Sequence, residues 1–256
     1  MRTKKSGLNQ SKKNGEQKGV WALERIQLIG NNFAKLPPRD IGESQALTDL
    51  YPSGPDIFSY PTEVLWQIFA ESTGKAWRQI LDSLYVRYGW VYEHSVNVAL
   101  ISAMAAVELN LDRNSLHQIT LGGLLHDVGK LLVPMTIIQK NTTLSEAEMN
   151  LVKKHSELGM SLVAGCGLHS DCMSVIMQHH ERLDGSGYPY GLKADEIHPL
   201  AKITMIADVL DAITSYRPYR PARSIGEAIT LIKLEGDKFS AEHVAVIERL
   251  HRKLSR

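Results

Sequence analysis

The sequence predicts an all-helical bundle, and three observations support this fold class. Apolar residues recur three or four positions apart from about residue 61 to the end of the chain. No run alternates apolar and polar residues as a half-buried strand would. Hydrophobic residues make up 43% of the 256 residues, which is enough for a substantial core. The net charge of +1 argues against the broad basic face that binding to a nucleic-acid polymer requires.

The first 74 residues precede the main helical pattern and divide into two parts. Residues 1–19 carry six basic residues and one acid among polar residues, so we expect a disordered basic tail. Residues 20–74 are interrupted by glycine and proline, with helical spacing only after Pro61. We expect a partly helical N-terminal arm that packs on the rest of the chain or on a second copy of it in a homodimer.

Residues 75–256 are predicted to form one domain of successive helices. His94–Leu109 is rich in alanine and apolar on most faces, which predicts a central buried helix. Asn114–Leu125 ends at the pair His126-Asp127, where Gly129 is expected to let the backbone turn. An apolar stripe precedes these two helices, and the helices predicted after them are Leu144–Val163, Asp171–Glu181, Pro199–Thr214, Ser224–Glu235 and Ala241–Leu254.

The two cysteines, Cys166 and Cys172, are too few for a disulfide framework. We therefore expect free thiols in a reducing compartment and a cytoplasmic location. No run of about 18 apolar residues exists, so no membrane span is expected. The basic N-terminus has no apolar stretch behind it and does not resemble a secretory signal.

Imidazole and carboxylate side chains recur at intervals of about one helix and one connection. A single histidine on an apolar face is more often a satisfied core residue than a metal ligand. Burying a whole set of such groups without partners would be costly, whereas successive helices of a bundle can present them to a shared divalent cation. The candidate metal ligands are His94, His126, Asp127, His155, His179, His180 and Asp208.

These motifs together resemble the HD-GYP family, which comprises bacterial cyclic di-GMP phosphodiesterases within the wider HD phosphohydrolase superfamily. The resemblance runs from about residue 75 to the C-terminus, and it is specific because the motifs occur in the family's order. The motifs are His126-Asp127-Val128-Gly129-Lys130, His155, His179-His180-Glu181, Asp184-Gly185-Ser186-Gly187-Tyr188-Pro189, Asp208 with Asp211, and Arg217-Pro218-Tyr219-Arg220.

The resemblance implies a helical HD core with extra C-terminal helices around a centre of two or three metals, usually iron or manganese. By position, Asp127 would bridge two cations, with His126 beside it. The ligands of one cation would include His94 and Asp208. The histidines of the other cation would be His155, His179 and His180.

The number of metals is expected to be two. Some family members bind a third metal through a glutamate four residues before the first histidine, and that position is Trp90 here. Glu93 is adjacent but would point about 100° away on a helix. We therefore expect two divalent ions, iron or manganese.

The activity implied is hydrolysis of cyclic di-GMP to linear pGpG, with further conversion to GMP, by a hydroxide bridging the two metals. Asp127 and Lys130 are the expected catalytic residues, with Lys130 stabilising charge on the phosphoryl oxygens. The expected substrate contacts are Lys130, Asp184, Gly187, Tyr188, Arg217 and Arg220.

For several of these residues a structural role is an alternative to a role in binding or catalysis. Asp211 is expected to orient a ligand, Glu181 to anchor a loop, and Lys130 could simply pair with a carboxylate. Gly185 and Gly187 are expected to allow positive φ in the loop. Tyr188 could stack on guanine, or the loop could be structural or contact a partner.

Two other functions remain open from the sequence. One is a binding module with little turnover. It would signal through the GYP loop, residues 184–189, to a diguanylate cyclase (GGDEF) domain. The other is an HD phosphohydrolase that acts on another nucleotide or cyclic dinucleotide. The full set of ligands argues against the first, and the GYP loop argues against the second.

Overall fold

The computed structural model describes Ile57, residues 59–215 and residues 222–254. The predicted tail, most of the predicted arm, and Arg217 and Arg220 lie outside the described residues. No strand occurs in the described ranges, and the all-helical prediction is confirmed. The helices are α1 (Ser59–Ala70), α2 (Ala76–Arg87), α3 (Gly89–Glu108), α4 (Arg113–Leu125), α5 (Met135–Ile138), α6 (Glu146–Lys153), α7 (His155–Val163), α8 (Ser170–Gln178), α9 (Pro199–Thr214), α10 (Ile225–Leu234) and α11 (Ala241–Leu254).

Helix α3 is the centre of the bundle, and all but one of its residues between 91 and 106 are buried. It packs against α2, α4, α9 and α11. Two glycines of α4 allow close packing on both sides. A Cβ on Gly123 would lie 3.0 Å from the Cα of Ala99 on α3, and one on Gly122 would lie 2.7 Å from the Cβ of Val175 on α8. The missing side chains therefore let α3, α4 and α8 approach closely.

Gly129 has a different role from the one its sequence position predicts. It lies in a 3-10 turn over Val128–Leu132, and its φ is not positive. A Cβ at this position would overlap the backbone carbonyl of His155 and the amide nitrogen of Gly159 on α7. The glycine is needed because α7 packs directly on the 3-10 turn, and this contact brings His155 beside Asp127.

The predicted helix Leu144–Val163 is two helices, α6 and α7, which meet at Lys154. The expected N-terminal cap is present, since Ser145 and Glu148 form a reciprocal capping box. Because the chain breaks at Lys154, His155 begins a new helix, and its imidazole is buried. The short helix α5 has four residues, none of them buried, and was not predicted.

Helices α9, α10 and α11 close the bundle on the side of α3. Glu108 at the end of α3 forms ion pairs with Arg249 and Lys253 of α11. Helix α1 packs on α3 and α4, so the last part of the predicted arm lies against the bundle. The domain boundary at residue 75 stays a prediction. None of the helices in the described ranges is long and apolar enough to cross a membrane.

Replacing Gly129 with alanine tests the close contact of α7 with the 3-10 turn. The added methyl group must displace backbone atoms, so we expect Gly129→Ala to lower the free energy of unfolding by about 3 kcal/mol. Urea unfolding measures this change. Gly165→Ala is the matched control, because a Cβ there meets no atom within 4 Å and the expected change is below about 0.5 kcal/mol. Equal effects of the two substitutions would contradict the packing argument.

Candidate metal centre

The structure brings all seven predicted ligands together. Two groups of them have ligand atoms within 4.8 Å of one another, and both groups include Asp127. One group adds His155, His179 and His180, and the other adds His94 and His126. Asp208 of α9 joins the two groups, because its carboxylate lies 3.0 Å from Nε2 of His94 and 3.7 Å from Nδ1 of His180.

Three of the histidines are oriented in the same way by backbone carbonyls. Nδ1 of His126, His155 and His179 lies 2.7–2.8 Å from the carbonyl oxygen three residues earlier in the chain. A carbonyl only accepts hydrogen bonds, so Nδ1 must carry the hydrogen in each ring. The unprotonated Nε2 then points into the cluster, which is the tautomer that a metal ligand needs.

The inner atoms of the cluster are acceptors without donors. Nε2 of His155 lies 3.1 Å from Nε2 of His179 and 3.3 Å from Oδ1 of Asp127. With hydrogens on the Nδ1 atoms, neither contact is a hydrogen bond. Nε2 of His126 and Oδ1 of Asp127 are buried and find no hydrogen-bond partner among the described residues. Lone pairs that converge without a donor fit a divalent cation, so the residues present match the metal centre that the sequence predicts.

His94 is held by carboxylates instead of a carbonyl. Its Nδ1 lies 2.6 Å from Oδ2 of Asp211, while Oδ1 of Asp211 accepts hydrogen bonds from Asn97 and Ser215. Asp211 therefore orients His94, as expected. Burial lowers the pKa of His94, but the hydrogen bonds to Asp208 and Asp211 outweigh it and raise the pKa to about 9. A cation on this side would displace the proton on Nε2.

Burial keeps the imidazoles of His155, His179 and His180 neutral. Burial lowers the pKa of His155 to about 4 and holds the pKa values of His179 and His180 well below the usual value. Neutral imidazoles are competent ligands at any pH near 7 without losing a proton. The His180 ring also stacks on Tyr188, with 4.6 Å between ring centroids. Tyr188 thus positions a ligand.

Lys130 pairs with the shared carboxylate. Its Nζ donates to Oδ2 of Asp127 at 2.6 Å. Burial alone would raise the pKa of Asp127, but the Lys130 ammonium and the neighbouring imidazoles of His126 and His155 together outweigh burial and hold the pKa well below the usual range. Lys130 therefore pairs with a carboxylate, which is the alternative role that the sequence allowed. The ammonium also stays at the cluster, where a phosphate oxygen could reach it.

Among the described residues, the more exposed ligands of the cluster form one edge. Side chains of Asp127 and His155 are 1% exposed, whereas those of His94, Asp208 and His180 are 7%, 10% and 19% exposed. At the His180 end this edge meets a cavity of about 430 Å³, a volume that suits a small-molecule ligand. The cavity walls include Gly187, Tyr188, Lys153, Arg182, Lys238 and Phe239.

Four of these cavity residues were not identified from the sequence: Lys153, Arg182, Lys238 and Phe239. The guanidinium of Arg182 lies over the Phe239 ring, 5.0 Å from its centroid, so the two residues form one wall. Arg182 directly follows the His179-His180-Glu181 motif, which was the one available signal. The other three come from distant segments that only the fold brings together.

The GYP loop is shaped mainly by hydrogen bonds and close packing. The carboxylate of Glu181 accepts from the backbone amides of Tyr190 and Leu192, which confirms its role as an anchor. Gly185 has positive φ as expected, but Gly187 does not, and a Cβ there would overlap the backbone of Glu181. Asp184 is exposed, accepts two hydrogen bonds from Ser186 and does not line the cavity. Its geometry gives no support to a substrate contact.

The family model described as HD domain matches residues 78–242. The chain belongs to the HD domain family. Curated relatives support the HD-GYP resemblance. This HD domain is 40% identical over 141 residues to a cyclic di-GMP phosphodiesterase of Pseudomonas aeruginosa, covering 55% of this chain and 34% of the relative. It is 31% identical over 167 residues to a cyclic di-GMP phosphodiesterase of Thermotoga maritima, covering 64% and 45%.

A relative named for another substrate is similar to the same extent. The HD domain is 37% identical over 153 residues to a 3'3'-cGAMP-specific phosphodiesterase of Vibrio cholerae, covering 57% of this chain and 34% of the relative. The chain therefore spans less than half the length of each of these relatives. Among solved structures, an HDG"Y"P protein from Bdellovibrio bacteriovorus has a similar fold, with a TM-score of 0.56 and 21% identity over 89% of this chain and 69% of that chain.

Replacing Asp211 with asparagine tests whether it orients His94. An amide offers one acceptor oxygen and one donor group, so it cannot accept from His94, Asn97 and Ser215 as the carboxylate does. We expect Asp211→Asn to weaken manganese binding about 10- to 100-fold. Isothermal titration of metal-depleted protein with Mn²⁺ measures the affinity. Asp195→Asn removes an exposed carboxylate outside the cluster and is expected to leave the affinity unchanged; an equal loss in both variants would contradict the role.

Proposed function

We propose that this HD domain hydrolyses cyclic di-GMP to linear pGpG, with slower conversion to GMP, using two divalent ions, iron or manganese. The observation that carries the proposal is the pair of ligand groups sharing Asp127 at the edge of a cavity that Lys153 and Arg182 line. The names of the relatives from Pseudomonas aeruginosa and Thermotoga maritima support the substrate. The distances among the seven ligands support the cofactors.

The site residues fall into two groups by what they would hold. One cation would be held by His94, Asp208, His126 and Asp127, and the other by His155, His179, His180 and Asp127. Bound there, two divalent cations supply Lewis acidity that activates water and stabilises charge on phosphate.

The residues of the cavity would bind the substrate. Lys130 stands at the cluster and would neutralise an oxygen of the phosphate being cut. Arg182 and Lys153 would hold the second phosphate of the ring, since charge-assisted hydrogen bonds to phosphate are stronger than neutral ones. Gly187 and Tyr188 form the wall between them, and Tyr188 would fix His180 against this pocket. Arg217 and Arg220 stay proposed phosphate contacts from the sequence alone.

Contacts with other proteins are also proposed. Tyr190, which directly follows the GYP loop, is 61% exposed, and this supports a surface for a diguanylate cyclase (GGDEF) domain. A homodimer formed through the arm, the boundary of the domain at residue 75 and a cytoplasmic location stay predictions from the sequence.

A second substrate is favoured by one comparison. The relative from Vibrio cholerae is named for 3'3'-cGAMP, and its identity of 37% is close to that of the cyclic di-GMP relatives. A cyclic dinucleotide with one adenine would present the same two phosphodiesters to the cluster. The two substrates are therefore compared in one assay.

The decisive assay uses protein purified without oxygen and loaded with Fe²⁺ or Mn²⁺. We expect release of pGpG from cyclic di-GMP, followed by chromatography, and loss of at least about 99% of the rate in Asp127→Ala. The same assay with 3'3'-cGAMP and with GTP separates the substrate classes. Tight binding of cyclic di-GMP without turnover in the loaded wild type would instead identify a binding module.

Lys153→Ala tests the cationic wall of the cavity. Lys153 lines the cavity and lies 5.6 Å from the centroid of the Tyr188 ring, so its removal is expected to raise the KM for cyclic di-GMP about tenfold. Lys154→Ala is the matched control, because Lys154 is adjacent and exposed but does not line the cavity. A KM that changes equally in both variants would show only a general effect of charge.

A further inference from the structure

Trp90 lies at the opposite end of the open edge from the cavity. The edge runs from His180 through Asp208 to His94, because the Asp208 carboxylate lies 3.7 Å from the first and 3.0 Å from the second. The cavity adjoins only the His180 end. Trp90 precedes His94 by four residues on α3, so the two side chains share one helix face about 6 Å apart.

The burial of Trp90 is unusual for its helix. The residues after it on the same face, His94 and Asn97, are buried, and Val91 and Tyr92 are fully buried. Trp90 is 43% exposed and is not among the partly buried side chains that pack on the core of the described part. Helical side chains lean toward the N-terminus, so the indole extends the edge beyond His94. An aromatic ring is therefore presented where the metal cluster meets solvent.

An extended cyclic dinucleotide needs two base sites. Its two nucleosides flank each phosphodiester, so in this conformation a phosphate on the cluster places one base toward His180 and the other toward His94. The cavity adjoins the His180 end and would receive the base on that side together with the second phosphate. On the helix that carries His94, the exposed aromatic ring is that of Trp90.

We propose that Trp90 is a substrate-positioning residue that stacks on the nucleobase outside the cavity. This inference rests on the proposed function, because it assumes a substrate with two bases. Stacking on an aromatic side chain tolerates any base but needs a flat π-face. The residue would thus favour dinucleotides over phosphodiesters without a second base, whichever purines they carry.

The test compares Trp90→Ala and Trp90→Phe with the wild type on two substrates, cyclic di-GMP and methyl p-nitrophenyl phosphate. For cyclic di-GMP we expect the KM to rise about tenfold in Trp90→Ala and less than about threefold in Trp90→Phe, because phenylalanine keeps a π-face. The kcat for both substrates, the KM for the small diester and the metal content should stay within about twofold of the wild type. Tyr60→Ala is the control, because Tyr60 is 41% exposed on α1, and its removal should leave the KM for cyclic di-GMP and the other four values unchanged.

Three outcomes would overturn the inference. An unchanged KM for cyclic di-GMP in Trp90→Ala would show that no base stacks there. An equal loss with both substrates, or a loss of metal, would show that the indole supports the cluster instead. If the wild type cleaves the small diester but no cyclic dinucleotide, the proposed function itself fails, and the stacking role fails with it.

Discussion

The arrangement of the domain depends on a carboxylate that is buried among imidazole lone pairs. Asp127 is 1% exposed and faces Nε2 atoms of His155 and His126, neither of which can donate a hydrogen bond to it in its carbonyl-bound tautomer. The Lys130 ammonium donates to Oδ2 of Asp127, and the protonated Nε2 of His94 lies 3.8 Å from the same oxygen, so these two groups offset its charge. Such a group of acceptors opposes folding unless a cation binds, so metal binding and stability are coupled in this fold.

The packing of the helices holds the ligand side chains close to one another. Gly122 and Gly123 bring α8 and α3 onto opposite sides of α4, and Gly129 brings α7 onto the following turn. Each contact sets the position of one ligand-bearing helix end. Because the contacts involve backbone atoms, they leave little freedom for a helix to slide, which suits a centre that needs fixed ligand distances.

The sequence predicted the helices and the ligand set because both depend on local signals. The spacing of apolar residues predicted the helices α3, α4 and α9. Adjacent acid and imidazole residues indicated metal binding. The break between α6 and α7 was missed because the apolar pattern continues through Lys154, and only burial of His155 explains it. The roles of Gly129 and Gly187 were mistaken because a close backbone approach leaves no trace in sequence. Lys153 and Phe239 reach the cavity through tertiary packing, which spacing cannot show.

The two halves of the centre differ in charge, and this difference bears on where a phosphate would bind. The half with His94 includes Asp208, and the carboxylate of Asp211 behind His94 makes that ligand more basic. The half with His155, His179 and His180 supplies neutral nitrogens held by backbone carbonyls or by Tyr188, and shares only Asp127. A cation held by these residues would therefore keep more uncompensated positive charge. The cavity with Lys153 and Arg182 adjoins this same half, so ligands and walls together direct an anionic group to the His180 end of the edge.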